Sequence, residues 1–249
     1  MTQMAKERVV PLKVASSAAD EDPQDVQDDA LAERRLLTAR SGKDMINAYN
    51  TVRARVFSHV QATGDRRLAV VSPVASDGKS LTAANLAISI ARDLSHDAAL
   101  VDFDLHRPSL ADLFGLSVTR GVDDYLTGRE TSPDALGHDT AFDGLTVYPV
   151  RRARARASEL VATKRAETLI DSLAAATPST VVVIDLPPLL ATPDAQLLSQ
   201  RAGGVLLVLR DGHTPADMIE RAVELLDGSA LVGAVLNESN DVANNYYAY

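Results

Sequence analysis

Apolar and polar positions follow two periods along the chain. Short apolar runs rich in β-branched residues fall at 68–71, 99–101, 145–148, 181–184, 205–209 and 231–236, and predict six strands. Between most of them lie stretches of helical period, at 81–94, 158–175 and 215–226, the last opened by the capping signature Thr214, Pro215 and Asp217. Ahead of the first strand, Met45, Tyr49, Val52, Val56 and Val60 recur at helical spacing over 43–60. That spacing predicts a leading helix with one stripe turned to the domain, and with Arg53 and Arg55 turned away. Strands alternating with helices predict an α/β fold, its sheet mostly parallel and flanked by helices on both faces.

Composition adds boundaries. A chain of 249 residues with 46% hydrophobic content has room for one such domain and a tail. Asp, Glu, Ser, Ala and Gln dominate around 15–32, with Pro23 among them, so 1–42 is expected to be a disordered acidic segment, 43–240 the domain, and 241–249 a separate tail. A net charge of −9 argues against nucleic acid as a partner. The absence of cysteine excludes disulfides, zinc–thiolate sites and thiol catalysis, and permits a reducing compartment. The opening residues lack the apolar core of a secretion signal, and no apolar run nears the ~20 residues that span a bilayer. A cytoplasmic location follows as the expectation, with membrane association supplied by a partner. The basic run 151–156, RRARAR, reads as a solvated loop.

Chemistry concentrates in four places. The first strand runs into SPVASDGKSLTAANL, where Gly78, Lys79 and Ser80 open a helix. Phosphate binding needs backbone N–H groups at a helix N-terminus, a cation reaching the outer oxygens and a hydroxyl for Mg²⁺, and these three residues supply them. Pro73 stands where the general pattern has its first glycine. The second strand ends in Asp102 and Asp104, with Arg107 on the following turn, at the end of an α/β sheet where ligands bind. The strand VVVID ends in Asp185, suited to holding Mg²⁺ through its water shell, with Pro187 and Pro188 after it. Taken singly, each acidic strand end also fits a helix cap or a turn residue. Three of six tyrosines, Tyr246, Tyr247 and Tyr249, crowd the last four residues, where the alternative reading is a tail docked on its own domain.

Together these residues resemble the bacterial tyrosine kinases of polysaccharide export, in soluble, separately encoded form, with Walker A, Walker A′ and Walker B motifs and a C-terminal tyrosine cluster. The likeness spans about 68–249 and takes in GVDDYLTG from Gly121, SELV from Ser158 and LVGAVLNE from Leu231. It implies a P-loop NTPase fold with ATP and Mg²⁺ as cofactors, and a loop of Ser76, Asp77, Gly78, Lys79, Ser80 and Leu81 around the nucleotide, with Asn237 near the adenine. It implies Ser80, Asp104 and Asp185 at the metal, and Lys79, Asp102, Asp104 and Arg107 at the reaction. Asp102 is favoured as the carboxylate that deprotonates tyrosine, whose free pKa is about 10. The acceptors implied are Tyr246, Tyr247 and Tyr249 of a neighbouring copy. The implied partner is a membrane-spanning polysaccharide co-polymerase adaptor at the inner membrane.

Departures from the family stand beside the likeness. Ala75 replaces a usual proline and Ser76 a usual glycine, and His106 replaces the first of two arginines. Asn47 and Asn50 break an E-x-x-R-x-x-R oligomerisation pattern of which Arg53 alone remains. Two rival readings are a non-catalytic nucleotide-binding scaffold of the export complex and a MinD- or ParA-type ATPase. The second expects a lysine at position 74, which is Val74.

Overall fold

The computed structural model describes residues 29–239, and each of the six apolar runs forms a strand. A leading helix, α1 (Lys43–Thr63), enters β1 (Arg67–Val71), followed by α2 (Lys79–Ala91) and β2 (Asp97–Asp102). Two short helices, α3 (Leu110–Phe114) and α4 (Val122–Leu126), precede a short β3 (His138–Asp139) and β4 (Leu145–Tyr148). The chain continues through α5 (Ala157–Val161), α6 (Lys164–Ala175), β5 (Thr180–Asp185), α7 (Pro193–Ser199), β6 (Gly204–Arg210), α8 (Ala216–Leu225) and β7 (Leu231–Asn237).

Seven strands form one sheet in the order β3-β4-β2-β5-β1-β6-β7, and β3 is its antiparallel member. This is the expected P-loop arrangement. All six residues of β5 are buried, which explains why it reads as a continuous apolar run rather than an alternating one. Register matters for the site. Asp102 lies opposite Asp185, and Asp185 opposite Val70, so both acidic ends and the loop after β1 meet at one end of the sheet.

A core lies on each face. One holds Phe103, Leu105, Leu169 and Leu186 under α4 to α6, and the other holds Leu86, Ile88 and Ile90 of α2 under α1. Ten of thirteen α2 residues are buried, and Ala83, Ala84 and Ala87 let the helix lie close to the strands. Burying each large aliphatic side chain there contributes about 1.5–3 kcal/mol.

Several expectations are corrected by packing. Residues 29–42 are not a disordered segment: a helical turn at 29–33 and the stretch after it insert Leu31, Leu36 and Leu37 into the α2-side core. Asn85 of α2 fixes this stretch, accepting from Leu37 N–H at 2.8 Å and donating to the Arg35 carbonyl at 3.0 Å. The α1 stripe packs as expected, but Arg53 turns inward and donates to the Ser89 carbonyl at 2.6 Å, while Arg55 stays exposed. The stretch 158–175 is two helices. Thr163 is extended between them and its hydroxyl donates to Leu160 O at 2.6 Å, a local bond that competes with helix continuation. In the run 151–156, Arg152 and Arg156 are exposed as expected, but Arg151 and Arg154 are only partly so. They clamp Asp124 and the fully buried Asp123, with Arg151 Nε 2.6 Å from Asp124, which it holds below the usual carboxylate range.

Candidate active site

The loop from Ser72 to Ser80 joins β1 to the N-terminus of α2. Gly78 has φ +92°, and a Cβ there would lie 2.0 Å from Asn237 Nδ2, so backbone freedom and space both demand glycine. Ser76 is also left-handed, at φ 70°, a conformation that costs a side-chain-bearing residue about 1–2 kcal/mol. Pro73 has no positive φ, so loss of a glycine at 73 strains nothing. Instead the Ser72 and Pro73 carbonyls accept N–H bonds from Leu189 and Leu190 after β5, at 2.9 and 3.1 Å.

Groups distant in sequence brace this loop. Asp77 is fully buried with its carboxylate turned away from the cavity, accepting from Thr214 Oγ1 at 2.9 Å and Val74 N–H at 3.3 Å. Thr214 therefore does not cap α8: Pro215 takes the N-cap position, and the hydroxyl serves the loop and the Arg210 N–H. Asn237, at the end of β7, donates to the Asp77 carbonyl at 3.0 Å. Its amide nitrogen is committed to the loop backbone, so the structure gives it a bracing role beside Gly78.

Lys79 is the centre of charge. Its Nζ lies 3.1 Å from Asp104, 3.3 Å from Asp185 and 3.1 Å from the Ser80 hydroxyl. Burial opposes its charge, but Asp185, Asp104 and Asp102 outweigh that and hold the ammonium above the ordinary lysine value. Asp102 is completely buried and accepts three backbone N–H bonds, from Asp104 at 3.0 Å, Ser109 at 3.1 Å and Leu110 at 3.3 Å. Burial, then the neighbouring Asp185, push its pKa up to about 8 against the pull of Lys79 and two of those N–H groups. Burial likewise raises Asp185, opposed by Lys79.

A cavity of about 670 Å³ opens above these groups. Ser76, Gly78, Lys79, Ser80, Leu81, Asp104 and Arg107 line it, with Pro187 and Pro188 on one wall. The expected residues thus divide. Asp104 and Arg107 face the cavity, while Asp102 organises the loop beneath it, so the carboxylate that fronts an incoming group is Asp104. Arg107 makes no ion pair among the described residues. His106 also lines the cavity and sits 3.2 Å from the buried Asp194 of α7. Asp185 Oδ2 is buried with no hydrogen-bond partner, beside Lys79 and Ser80. An orphaned carboxylate oxygen next to a hydroxyl at a helix N-terminus fits a hydrated divalent cation with a phosphate chain. Tyr246, Tyr247 and Tyr249 lie outside the described residues.

No protein-family model matches the chain. Tyrosine-protein kinase YwqD of Bacillus subtilis is 32% identical over 209 residues, covering 81% of this chain and 84% of that protein. Tyrosine-protein kinase etk of Escherichia coli is 26% identical over 206 residues, which are 82% of this chain but 28% of that longer protein. The solved kinase domain of Escherichia coli ETK superposes with a TM-score of 0.73 at 25% identity, over 82% of this chain and 79% of the domain. The cell division ATPase MinD of Pyrococcus furiosus follows at 0.59 and 22% identity over 71% and 74%, a likeness of fold.

Proposed function

The chain belongs to the bacterial tyrosine-protein kinases, and from that premise we propose that it transfers the γ-phosphate of ATP to Tyr246, Tyr247 and Tyr249 of a neighbouring copy. The observation that supports this most is the cluster of Lys79, Asp104 and Asp185 within 3.3 Å at the floor of a cavity rimmed by Arg107. Mg·ATP, when bound, supplies the transferable group and the ion that neutralises its charge.

In this reading Lys79 gives up its carboxylate contacts to meet phosphate oxygens, and the backbone N–H groups of 78–80 point at the same chain. Ser80 and Asp185 Oδ2 hold the ion. Asp104 accepts the phenol proton of the acceptor, and Arg107 neutralises charge on the phosphoryl oxygens. Asp102, its oxygens committed to backbone, fixes the turn that carries Asp104. Pro187 and Pro188 exclude water along one wall.

Regulation of polysaccharide export through a membrane-spanning co-polymerase adaptor belongs to the same proposal. It is supported by the family. A MinD-type ATPase would need a lysine at position 74, which is Val74.

The test is to incubate the full chain with Mg·ATP, with and without the cytoplasmic segment of its adaptor, and to map phosphotyrosine by mass spectrometry. Phosphate is expected on the tail tyrosines and lost in Asp104→Asn. A tail without phosphotyrosine in either condition refutes the kinase reading.

A further inference from the structure

Two residues with side chains hold left-handed backbone around one guanidinium, Ser76 at φ 70° in the cavity wall and Glu238 at φ 55°. Arg210, the last residue of β6, points Nη1 at the Ser76 carbonyl, 3.4 Å away, and Nη2 at Glu238 Oε2, 2.5 Å away. Glu238 follows Asn237 directly at the end of β7, and its other oxygen faces Arg35 at 3.5 Å. Left-handed backbone without glycine persists where surrounding groups over-determine it, and it gathers at ligand clamps.

The loop is thus held at consecutive positions from the ends of β6 and β7. Thr214 takes the Asp77 side chain, Asn237 the Asp77 carbonyl and Arg210 the Ser76 carbonyl. The first two bonds secure a residue with ordinary backbone. Only the third acts on the strained one, and it engages that carbonyl from Arg210, which does not line the cavity.

We propose that Arg210 is a positioning residue for nucleotide: it keeps the Ser76 carbonyl out of the phosphate site, the task a glycine would perform unaided, with Glu238 setting the guanidinium. This rests on the nucleotide-binding reading above. It requires energetic coupling between positions 210 and 76. A guanidinium that touched nucleotide directly would contribute equally whatever residue stood at 76.

The measurement is the Kd of Mg·ADP by calorimetry for the wild type, Arg210→Ala, Ser76→Gly and the double variant, with nucleotide-free melting temperatures alongside. Arg210→Ala is expected to weaken binding about tenfold with little change in melting, and Ser76→Gly to reduce that loss to under about twofold. Arg210→Lys keeps the charge without the fork, and is expected to lose most of the affinity that Arg210→Ala loses. Wild-type affinity retained in Arg210→Ala, or an undiminished loss in the Ser76→Gly background, overturns the assignment. A wild type that binds no Mg·ADP overturns the kinase reading and this inference with it.

Discussion

Removing the Lys79 ammonium tests both its chemical role and its structural one. Lys79→Met is expected to abolish tail phosphorylation, and also to destabilise the protein when nucleotide and Mg²⁺ are absent. The lysine is 9% exposed and lies 3.1 and 3.3 Å from two carboxylates, one of them fully buried. Deleting one partner of a buried ion pair costs about 3–5 kcal/mol, because the remaining charge stays desolvated. Protonation of a carboxylate relieves part of this, which places the cost near about 3 kcal/mol. At 2–4 °C per kcal/mol for a chain of this size, the melting temperature should fall by roughly 6–12 °C. The sign with pH follows from Asp102 and Asp185, both raised by burial, Asp102 to about 8. Groups raised in the folded state stabilise it fully below their unfolded pKa, near 4, and lose that contribution as pH climbs through the folded value. Without Lys79 both carboxylates rise further, so the variant goes on losing stability above about pH 8, where the wild type has already lost what Asp102 contributes. Melting measured in EDTA from pH 5 to 9 should show the deficit narrowest at pH 5 and widest at pH 9. Equal melting at pH 8, or a deficit that grows towards pH 5, refutes the role given to these carboxylates.

Other substitutions separate the remaining roles. Asp104→Asn should lower the initial rate of tail phosphorylation at least 100-fold and also lower melting, because Lys79 keeps only one of its two carboxylate partners. Asp102→Asn should chiefly lower stability in urea unfolding, by about 1–3 kcal/mol, because the N–H donors on one of its two oxygens then face an NH2 group. Leu36→Ala and Leu37→Ala, at side chains 1% exposed, should each cost about 2–5 kcal/mol in urea unfolding, whereas a disordered segment would show no change. Gly78→Ala should remove Mg·ADP binding in calorimetry, since the added carbon meets Asn237 at 2.0 Å.

Strands covered on both faces write themselves as unbroken apolar runs, so β1, β2, β5 and β6 were legible along the chain, while the half-buried β4 and the exposed edge strand β7 showed through their aliphatic and β-branched residues. β3 has two residues, and α3, α4 and α7 have five to seven, too few for a period to emerge. Gly78, Lys79 and Ser80 could be read because phosphate restricts residue type at that spacing. Thr214 and Arg210 could not, since their partners in the loop lie 137 and 134 positions away and nothing local distinguishes a bracing threonine from a capping one. The division between Asp102 and Asp104 was equally hidden. Two carboxylates two residues apart look alike until the turn after β2 folds its N–H groups onto the first. In residues 29–42, polar neighbours dilute Leu31, Leu36 and Leu37, although the adjacent leucine pair is a signal that an acidic average obscures.

Asn85 joins the stretch at 35–37 to the same helix whose first residue is Lys79, six positions, or about 9 Å, nearer the cavity. Tension on the chain ahead of residue 35 is therefore delivered to the helix that carries the phosphate lysine before it reaches α1 or β1.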